Sequence, residues 1–190
     1  DVLRVKRRET LAQLDELQQS IFIEMFGDLF LNTHSYPVFP LGKLCDVRDG
    51  THDSPKFCSD GFPLVTTKNL KNGLIDISEA SLISQDDYEA INRRSKVDKG
   101  DILLPMIGTI GNPVLVDIDP KFAIKNVALI KFTKLSPDRK YLMQFLTSDC
   151  FDKIVASKNK GGTQKFLALG EIRSLPIPIP EQSHQAEYAS

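Results

Sequence analysis

The first 26 residues of the chain contain neither glycine nor proline, and the run ends at Gly27. A stretch of this length without a breaker predicts one long helix that a glycine terminates. Apolar residues recur in it at spacings of three and four, which places a narrow apolar seam on a charged helix. Because a lone helix cannot bury such a seam, we expect a partner for it, or packing against the chain's own domain. The seam consists of Leu11, Leu14, Leu17, Ile21 and Met25.

Beyond the helix the pattern changes to short strands. Segments such as "DILLPMIG" (101–108) and "VALIKFT" (127–133) are apolar and bounded by residues typical of turns. Two helices interrupt the strands, one capped by Ser84 and one with Ser136 as cap and Pro137 at its first position. Strands and helices do not alternate regularly, so a doubly wound parallel sheet is not expected. We predict an α+β fold, a mixed-sheet domain with short helices that follows a long coiled-coil-type helix.

Two glycines, Gly108 and Gly111, lie in the segment "KGDILLPMIGTIGNP" (99–113). A phosphate-binding P-loop needs Lys and Ser or Thr after its second glycine, where this chain has Asn and Pro. A dinucleotide fingerprint would open a helix, but the pattern after Pro113 is that of a strand. The GXXG clamp of KH-type RNA-binding domains fits "GTIG" in letters, yet it should join two helices. We therefore expect the glycines to turn the backbone after a core strand at 101–105.

The charge of the chain is unevenly distributed. The net charge of −1 argues against a uniformly basic nucleic-acid binder. The segment from Lys121 to Lys165, however, contains ten basic and three acidic residues, which gives it a local charge of +7. Such a concentration favours a basic face that attracts phosphate backbones. The alternative is that these lysines are merely solvated on exposed surfaces.

Metal-binding and catalytic patterns are weak. Cys45, His52 and Cys58 are near one another in sequence, but zinc sites usually contain a closely spaced pair of ligands, which is missing here. No nucleophile motif is found, so we expect neither a metal site nor catalysis. The odd, sparse set of three cysteines is typical of a reducing cytoplasm. No apolar run is long enough to span a bilayer, so no membrane role is expected.

Five stretches in order along the chain together resemble the specificity subunit of type I restriction–modification enzymes. Singly each is a weak signal, but together they cover nearly all of the sequence. They are "LDELQQSIFIEMFGD" (14–28), "PLGKLCDVRDGTHDSP" (40–55), "GFPLVTTKNLKNGLID" (61–76), "VDKGDILLPMIGTIGNPVLV" (97–116) and "GGTQKFLALGEIRSLPIPIPEQSHQAEYA" (161–189).

The resemblance implies a division of the chain into parts. Residues 1–28 would form a conserved spacer (coiled-coil) helix and 29–40 a linker. Residues 41–182 would form a DNA target recognition domain, and 183–190 the start of a truncated second spacer helix. The chain would then be a half-subunit, or a C-terminal half, that reads one half of a bipartite site in double-stranded DNA.

The resemblance also implies partners and a bacterial or archaeal cytoplasmic location. A modification (methyltransferase) subunit would use S-adenosylmethionine, and a restriction (motor nuclease) subunit would use ATP and Mg. This chain would itself hold no cofactor and catalyse nothing, and its long helix could also mediate self-association. Two alternatives remain open: a non-DNA protein-interaction module on a coiled coil, and an RNA-binding domain.

Polar residues in the predicted loops are the candidates for DNA contact. Asn and Gln suit adenine, Lys suits guanine or phosphate, and hydroxyl groups suit either. The base-reading candidates are Thr51, His52, Asp53, Lys68, Asn69, Thr109, Asn126 and Gln164. The phosphate-binding candidates are Lys56, Lys125, Lys158, Lys160 and Lys165.

Overall fold

A computed structural model describes residues 2–107, 112–158 and 167–190, with the side chain of Lys158 left out. The described helices are α1 (Val2–Phe26), α2 (Leu41–Leu44), α3 (Gln85–Ser95), α4 (Arg139–Leu146), α5 (Asp149–Lys158), α6 (Leu169–Arg173) and α7 (Gln182–Ala189). The first strands are β1 (Val38–Pro40), β2 (Cys45–Asp49), β3 (Phe57–Cys58), β4 (Phe62–Val65), β5 (Leu70–Lys71) and β6 (Leu74–Ile75). The later strands are β7 (Ser81–Ile83), β8 (Ile102–Pro105), β9 (Val114–Leu115), β10 (Ala123–Ile124), β11 (Val127–Phe132) and β12 (Pro176–Pro178). A 3-10 turn, Thr67–Asn69, joins β4 to β5.

The strands form two four-stranded sheets, in the orders β2-β11-β8-β9 and β10-β4-β7-β3, and two pairs, β1-β12 and β5-β6. Most of the pairings are antiparallel, whereas β10 and β4 run in parallel. The predicted α+β fold with a mixed sheet behind a long helix is confirmed. Among the described residues, no helix combines the length and the apolar character that crossing a membrane requires.

The β2-β11-β8-β9 sheet is covered on both faces, which explains its continuous apolar runs. Along β11, Ala128 and Ile130 belong to one hydrophobic cluster, whereas Val127 and Leu129 belong to another. Successive side chains of a strand point to opposite faces, so a strand buried on both sides must be apolar throughout. The predicted core strand at 101–105 is confirmed as β8, and Gly100 turns the chain into it with φ 92°.

Within the described residues, the buried side chains of helix α1 lie near its C-terminal end. Phe22 and Phe26 are buried, and Phe26 lies 5.0 Å from the ring of Tyr141 and 5.6 Å from that of Tyr188. Gly27 ends the helix as predicted, with φ 70° and an N–H that donates to the Ile23 carbonyl. In the predicted seam Met25 packs partly against the core. The other seam residues, Leu11, Leu14, Leu17 and Ile21, are exposed.

The predicted helix starts are right at one place and wrong at another. Ser84 caps α3 as expected, because its hydroxyl accepts from the Asp87 N–H at 3.1 Å. The start predicted at Ser136 and Pro137 is wrong, since α4 begins at Arg139. The Asp138 carboxylate is the cap and accepts from two backbone N–H groups. Ser136 instead donates to the Leu44 carbonyl at the end of α2, so its hydroxyl is not available as a helix cap.

Candidate functional site

Two Lys-Asn sequences that are far apart along the chain meet at one edge of a sheet. Strands β4 and β10 are parallel neighbours, with Val65 opposite Ile124. Because parallel strands end at the same edge, the residues that follow each strand come together there. The Lys125 N–H donates to the Val65 carbonyl at 2.9 Å, which fixes this junction.

A groove of about 970 Å³ opens at the junction. Its described lining carries three lysines and one glutamate, so the groove is positively charged on balance. Lys71 lies 3.9 Å from Glu79, which leaves the other two lysines as the freer charges. The polar lining residues that matter here are Lys68, Asn69, Lys71, Glu79, Lys125 and Asn126.

The side-chain amide of Asn69 forms its hydrogen bonds with other residues of the protein. Its Oδ1 accepts from both the backbone N–H and the hydroxyl of Thr66, and its Nδ2 donates to the Asp76 carbonyl at 3.0 Å. The side chain is buried, and these bonds hold the 3-10 turn in place. Lys68 lies in the same turn and is exposed, so Asn69 positions Lys68 at the groove.

The loop that follows β2 is fastened to the same edge. The Thr51 N–H donates to the Ile124 carbonyl at 3.0 Å, and the Asn126 N–H donates to the Thr51 carbonyl at 3.1 Å. A Cβ on Gly50 would lie 2.2 Å from the Ile124 carbonyl oxygen, so only glycine permits this approach. The loop therefore stands directly beside Asn126.

His52 bridges that loop to the groove. Its Nδ1 lies 2.8 Å from Asn126 Oδ1, and its Nε2 lies 2.9 Å from Asp49 Oδ2. The hydrogen bond with Asn126, followed by that with Asp49, raises the pKa of His52 above its usual value. Arg94 of α3 lies 3.4 Å from the Asp49 carboxylate and partly opposes the rise.

The remaining candidates of this loop are at its surface. Asp53 is exposed, and its N–H donates to the Thr51 hydroxyl at 3.1 Å. Lys56 is exposed as well. The Lys125 ammonium group donates to the Ser54 hydroxyl, which ties the loop to the junction a second time. Of the other candidates, Thr109, Gln164, Lys160 and Lys165 lie outside the described residues, as does the side chain of Lys158.

The described part of the basic run 121–165 is dispersed over several environments. Lys131 lies 2.6 Å from Asp101 and 2.8 Å from Asp98 in a largely buried ion pair. Arg139 stacks on the ring of Phe132, and Lys121 pairs with Asp119. Of the basic residues of this run whose side chains the structure describes, Lys125 lines the groove. The positive charge of the described groove lining thus comes from two separate segments, one with Lys68 and Lys71 and one with Lys125.

The two cysteines near His52 in sequence form hydrogen bonds with other residues. Cys45 is buried, and its Sγ shares a hydrogen bond with the Ser136 hydroxyl at 3.3 Å. Burial raises the pKa of this thiol. Cys58 is exposed, and its Sγ donates to the Asp60 carbonyl. His52 is instead held by Asn126 and Asp49, which places it next to a residue of the groove lining.

The family of type I restriction modification DNA specificity domains matches residues 34–190. The chain belongs to this family. The resemblance seen in the sequence is thereby confirmed. The matched range contains every residue of the groove, so the groove lies within the specificity domain itself.

Known specificity subunits share the sequence and the fold in part. The EcoBI specificity subunit of Escherichia coli, part of a type I restriction enzyme, is 26% identical over 133 residues, which are 67% of this chain and 27% of that protein. The HsdS subunit of Thermoanaerobacter tengcongensis has a TM-score of 0.62 at 17% identity, over 98% of this chain and 44% of that one. The S subunit from M. genitalium has a TM-score of 0.58 at 16% identity, over 98% and 49%. The chain spans less than half the length of these relatives.

Sequence reasoning missed the residues that position the site. Asp49 holds His52 and Arg94 contacts Asp49, yet these two residues lie on β2 and α3 and share no sequence motif. Thr66 and Asp76 likewise hold Asn69 by hydrogen bonds that no sequence motif indicates. One signal was available for Asp49, which directly precedes Gly50 at the end of an apolar strand. Nothing in the sequence links Arg94 to the site, because tertiary packing alone brings α3 there.

Proposed function

We propose that this specificity domain reads one half of a bipartite DNA site for a type I restriction–modification complex. One observation carries the proposal: parallel pairing of β4 and β10 gathers Lys68, Lys125 and Asn126 at one positively charged groove. Membership of the specificity-domain family supports the same function.

The groove offers two kinds of contact. Ammonium groups such as those of Lys68 and Lys125 suit phosphate oxygens or guanine, and the Asn126 amide suits a base edge. Glu79 adds an acceptor that suits the amino group of cytosine. Asn69 we assign to positioning, because its amide is already used inside the protein. Thr51 and His52 contact Asn126 from the adjoining loop, and Asp53 follows them at its surface.

The chemistry of restriction and modification would lie in partner subunits. We propose that a methyltransferase subunit with S-adenosylmethionine and an endonuclease subunit with ATP and Mg act on the site that this domain selects. Residues 1–28 and 183–190 would serve as helical spacers around the recognition domain, 41–182, with 29–40 as a linker. The exposed seam of α1 is the surface on which such a partner, or a second copy, would pack.

Fluorescence anisotropy with duplex DNA, duplex RNA and single strands at two salt concentrations tests the proposal. We expect duplex DNA to bind most tightly, and its affinity to fall as salt rises. Lys125→Ala and Lys68→Ala should each weaken binding and lower the salt slope by about one. Lys121→Ala is the matched control, since Lys121 is exposed and paired with Asp119 away from the groove.

The outcome also separates the alternatives. Preference for duplex RNA would favour the RNA-binding alternative. Absence of binding to every nucleic acid, even with the methyltransferase subunit added, would favour an interaction module. Equal losses in Lys121→Ala and Lys125→Ala would contradict the groove as the contact site, because only the overall charge would then matter.

A further inference from the structure

His52 lies between two oxygen atoms, and a neutral imidazole cannot donate to both. Nδ1 is 2.8 Å from the amide oxygen of Asn126, and Nε2 is 2.9 Å from a carboxylate oxygen of Asp49. A neutral ring carries a proton on one nitrogen, whereas the imidazolium ion carries one on each. The arrangement in the structure is therefore that of a charged ring that donates twice.

Loss of one proton leaves one arrangement in which both contacts of the ring are kept. The Asp49 carboxylate can only accept, so the neutral ring keeps its proton on Nε2. Nδ1 then becomes an acceptor and needs a donor, which the Asn126 Nδ2 supplies if the amide turns over. The backbone need not move, because Asn126 keeps φ 54° and its N–H bond to the Thr51 carbonyl. The change is a rotation of one amide group.

We infer that the protonation state of His52 sets which end of the Asn126 amide is available in the groove, and so which base edge Asn126 selects. This inference rests on the proposed DNA-reading function. With His52 charged, Oδ1 is occupied and Nδ2 is left to donate; among the described residues no group accepts from Nδ2. With His52 neutral, Nδ2 is occupied and Oδ1 is left to accept.

The two states favour different bases. A free Nδ2 donor selects bases with a carbonyl in the major groove, which are guanine through O6 and thymine through O4. A free Oδ1 acceptor selects bases with an amino group there, which are adenine through N6 and cytosine through N4. His52 is thus a specificity-determining residue that acts through Asn126.

The surroundings of His52 favour the charged state. Asp49 of β2 attracts the imidazolium and is itself only slightly exposed, which strengthens its effect. Arg94 of α3 contacts Asp49 and opposes the charge, while the Lys125 ammonium group is directed to Ser54. The balance raises the pKa of His52. A bound polyanion would raise it further, and by linkage protonation would strengthen DNA binding.

NMR on the ¹⁵N-labelled full chain without DNA tests the amide switch. Between about pH 5 and pH 9 we expect His52 to pass from the doubly protonated ring to the tautomer with its proton on Nε2. The side-chain NH₂ signals of Asn126, identified by their loss in Asn126→Asp, should shift with the same midpoint. An NH₂ signal that does not change across this midpoint, or a neutral ring protonated on Nδ1, would overturn the inference.

Selection from random duplex DNA at about pH 6 and about pH 8.5, with the methyltransferase subunit present, tests the base preference. At one position we expect a keto base at the lower pH and an amino base at the higher, changing by about threefold to tenfold, as for one hydrogen bond. Asn126→Asp tolerates the positive φ and accepts at both ends, so the pH effect should vanish.

His34→Gln is the matched control, because His34 stacks on Tyr36 outside the groove lining and its loss should leave the pH effect intact. An unchanged preference at both pH values would overturn the base-selecting role of His52. If no sequence were enriched at either pH, the proposed function itself would fail and base selection with it. The NMR titration would still decide the amide switch, so the two failures are distinguishable.

Discussion

Tyr141 contacts helix α1 through its ring and strand β12 through its hydroxyl. The side chain is fully buried, its ring contacts Phe22 and Phe26, and its hydroxyl donates to the Pro178 carbonyl at 2.6 Å. Burial raises the pKa of this hydroxyl, so it stays a donor at every ordinary pH. The Tyr141 hydroxyl thus provides the Pro178 carbonyl of β12 with a hydrogen-bond donor inside the aromatic cluster.

Removing that hydroxyl should cost stability without changing the fold. Tyr141→Phe leaves the Pro178 carbonyl without its buried donor, and we expect the free energy of unfolding to fall by about 1–3 kcal/mol. Urea denaturation measures the loss. Tyr88→Phe is the control, since it keeps the ring stacked on Phe62 at 4.1 Å and should change stability by less than about 0.5 kcal/mol. Equal effects of the two changes would contradict the role of the hydrogen bond.

The ion pair around Lys131 should make stability sensitive to acid. The hydrogen bond from Lys131 lowers the pKa of Asp98, so the contribution of Asp98 is complete above the usual carboxyl range. It is lost as the pH falls through the lowered pKa. In Lys131→Met the pKa of Asp98 should rise toward its usual value, and stability should depend less on pH in that acid range. NMR titration of the Asp98 carboxyl measures the pKa directly.

The same substitution should weaken the fold at neutral pH. Asp101 is largely buried, and without Lys131 its charge loses its ionic partner. Breaking such a pair costs about 3 kcal/mol in the free energy of unfolding. Lys96→Met is the control, because Lys96 is exposed and 3.5 Å from the exposed side of Asp98. A loss as large in Lys96→Met would show that general charge, rather than the buried pair, matters.

Single residues show what sequence can and cannot provide. Asn69 and Asn126 both follow a lysine, and both were predicted to read bases. One is buried by bonds to Thr66 and Asp76, while the other faces a groove beside His52. Residue type predicted that these amides would form hydrogen bonds. Their partners depend on which strands pair, and the sequence alone does not show that.

At the scale of elements, the long patterns were predictable and the short ones were not. Helix α1, strand β8 and strand β11 are long or strongly apolar, so their periodicity identifies them. The start of α4 was misplaced because Asp138 and Ser136 are both good caps. The Ser136 hydroxyl donates to the Leu44 carbonyl of the distant helix α2, which leaves Asp138 as the cap. The parallel pairing of β4 with β10, on which the groove depends, left no local signal.

Helix α1 should be held mainly by the aromatic side chains near its C-terminal end, Phe22 and Phe26. Phe26→Ala removes a fully buried ring from the aromatic cluster, and we expect a loss of about 3 kcal/mol in the free energy of unfolding. Limited proteolysis should then cut within residues 2–26 sooner than in the parent chain. Leu14→Ala, at a side chain that is 54% exposed, should change stability by less than about 0.5 kcal/mol at low protein concentration. A comparable loss there would mean that the seam is already packed.

At the scale of the whole molecule, the exposed seam predicts association. Leu11, Leu14, Leu17 and Ile21 form an apolar row on a charged helix, and coiled-coil packing buries such rows. We expect light scattering to show a mass above that of one chain, decreasing on dilution. Leu14→Asp should shift the equilibrium to single chains, whereas Glu16→Ala, on the same exposed helix, should not. A strict monomer whose residues 2–26 are sensitive to protease would contradict the prediction.

The β1-β12 pair has a consequence for how such a domain could change over time. Val38 lies opposite Pro178 and Pro40 opposite Pro176, so the segment between these two strands leaves and returns at one narrow neck. A segment closed at its neck could be exchanged between genes as a cassette while α1 and α7 keep their own packing. The constraint on such an exchange lies where the segment meets the two helices, because the Tyr141 ring packs against Phe22 and Phe26 and the Asp138 N–H donates to the Gln185 amide of α7.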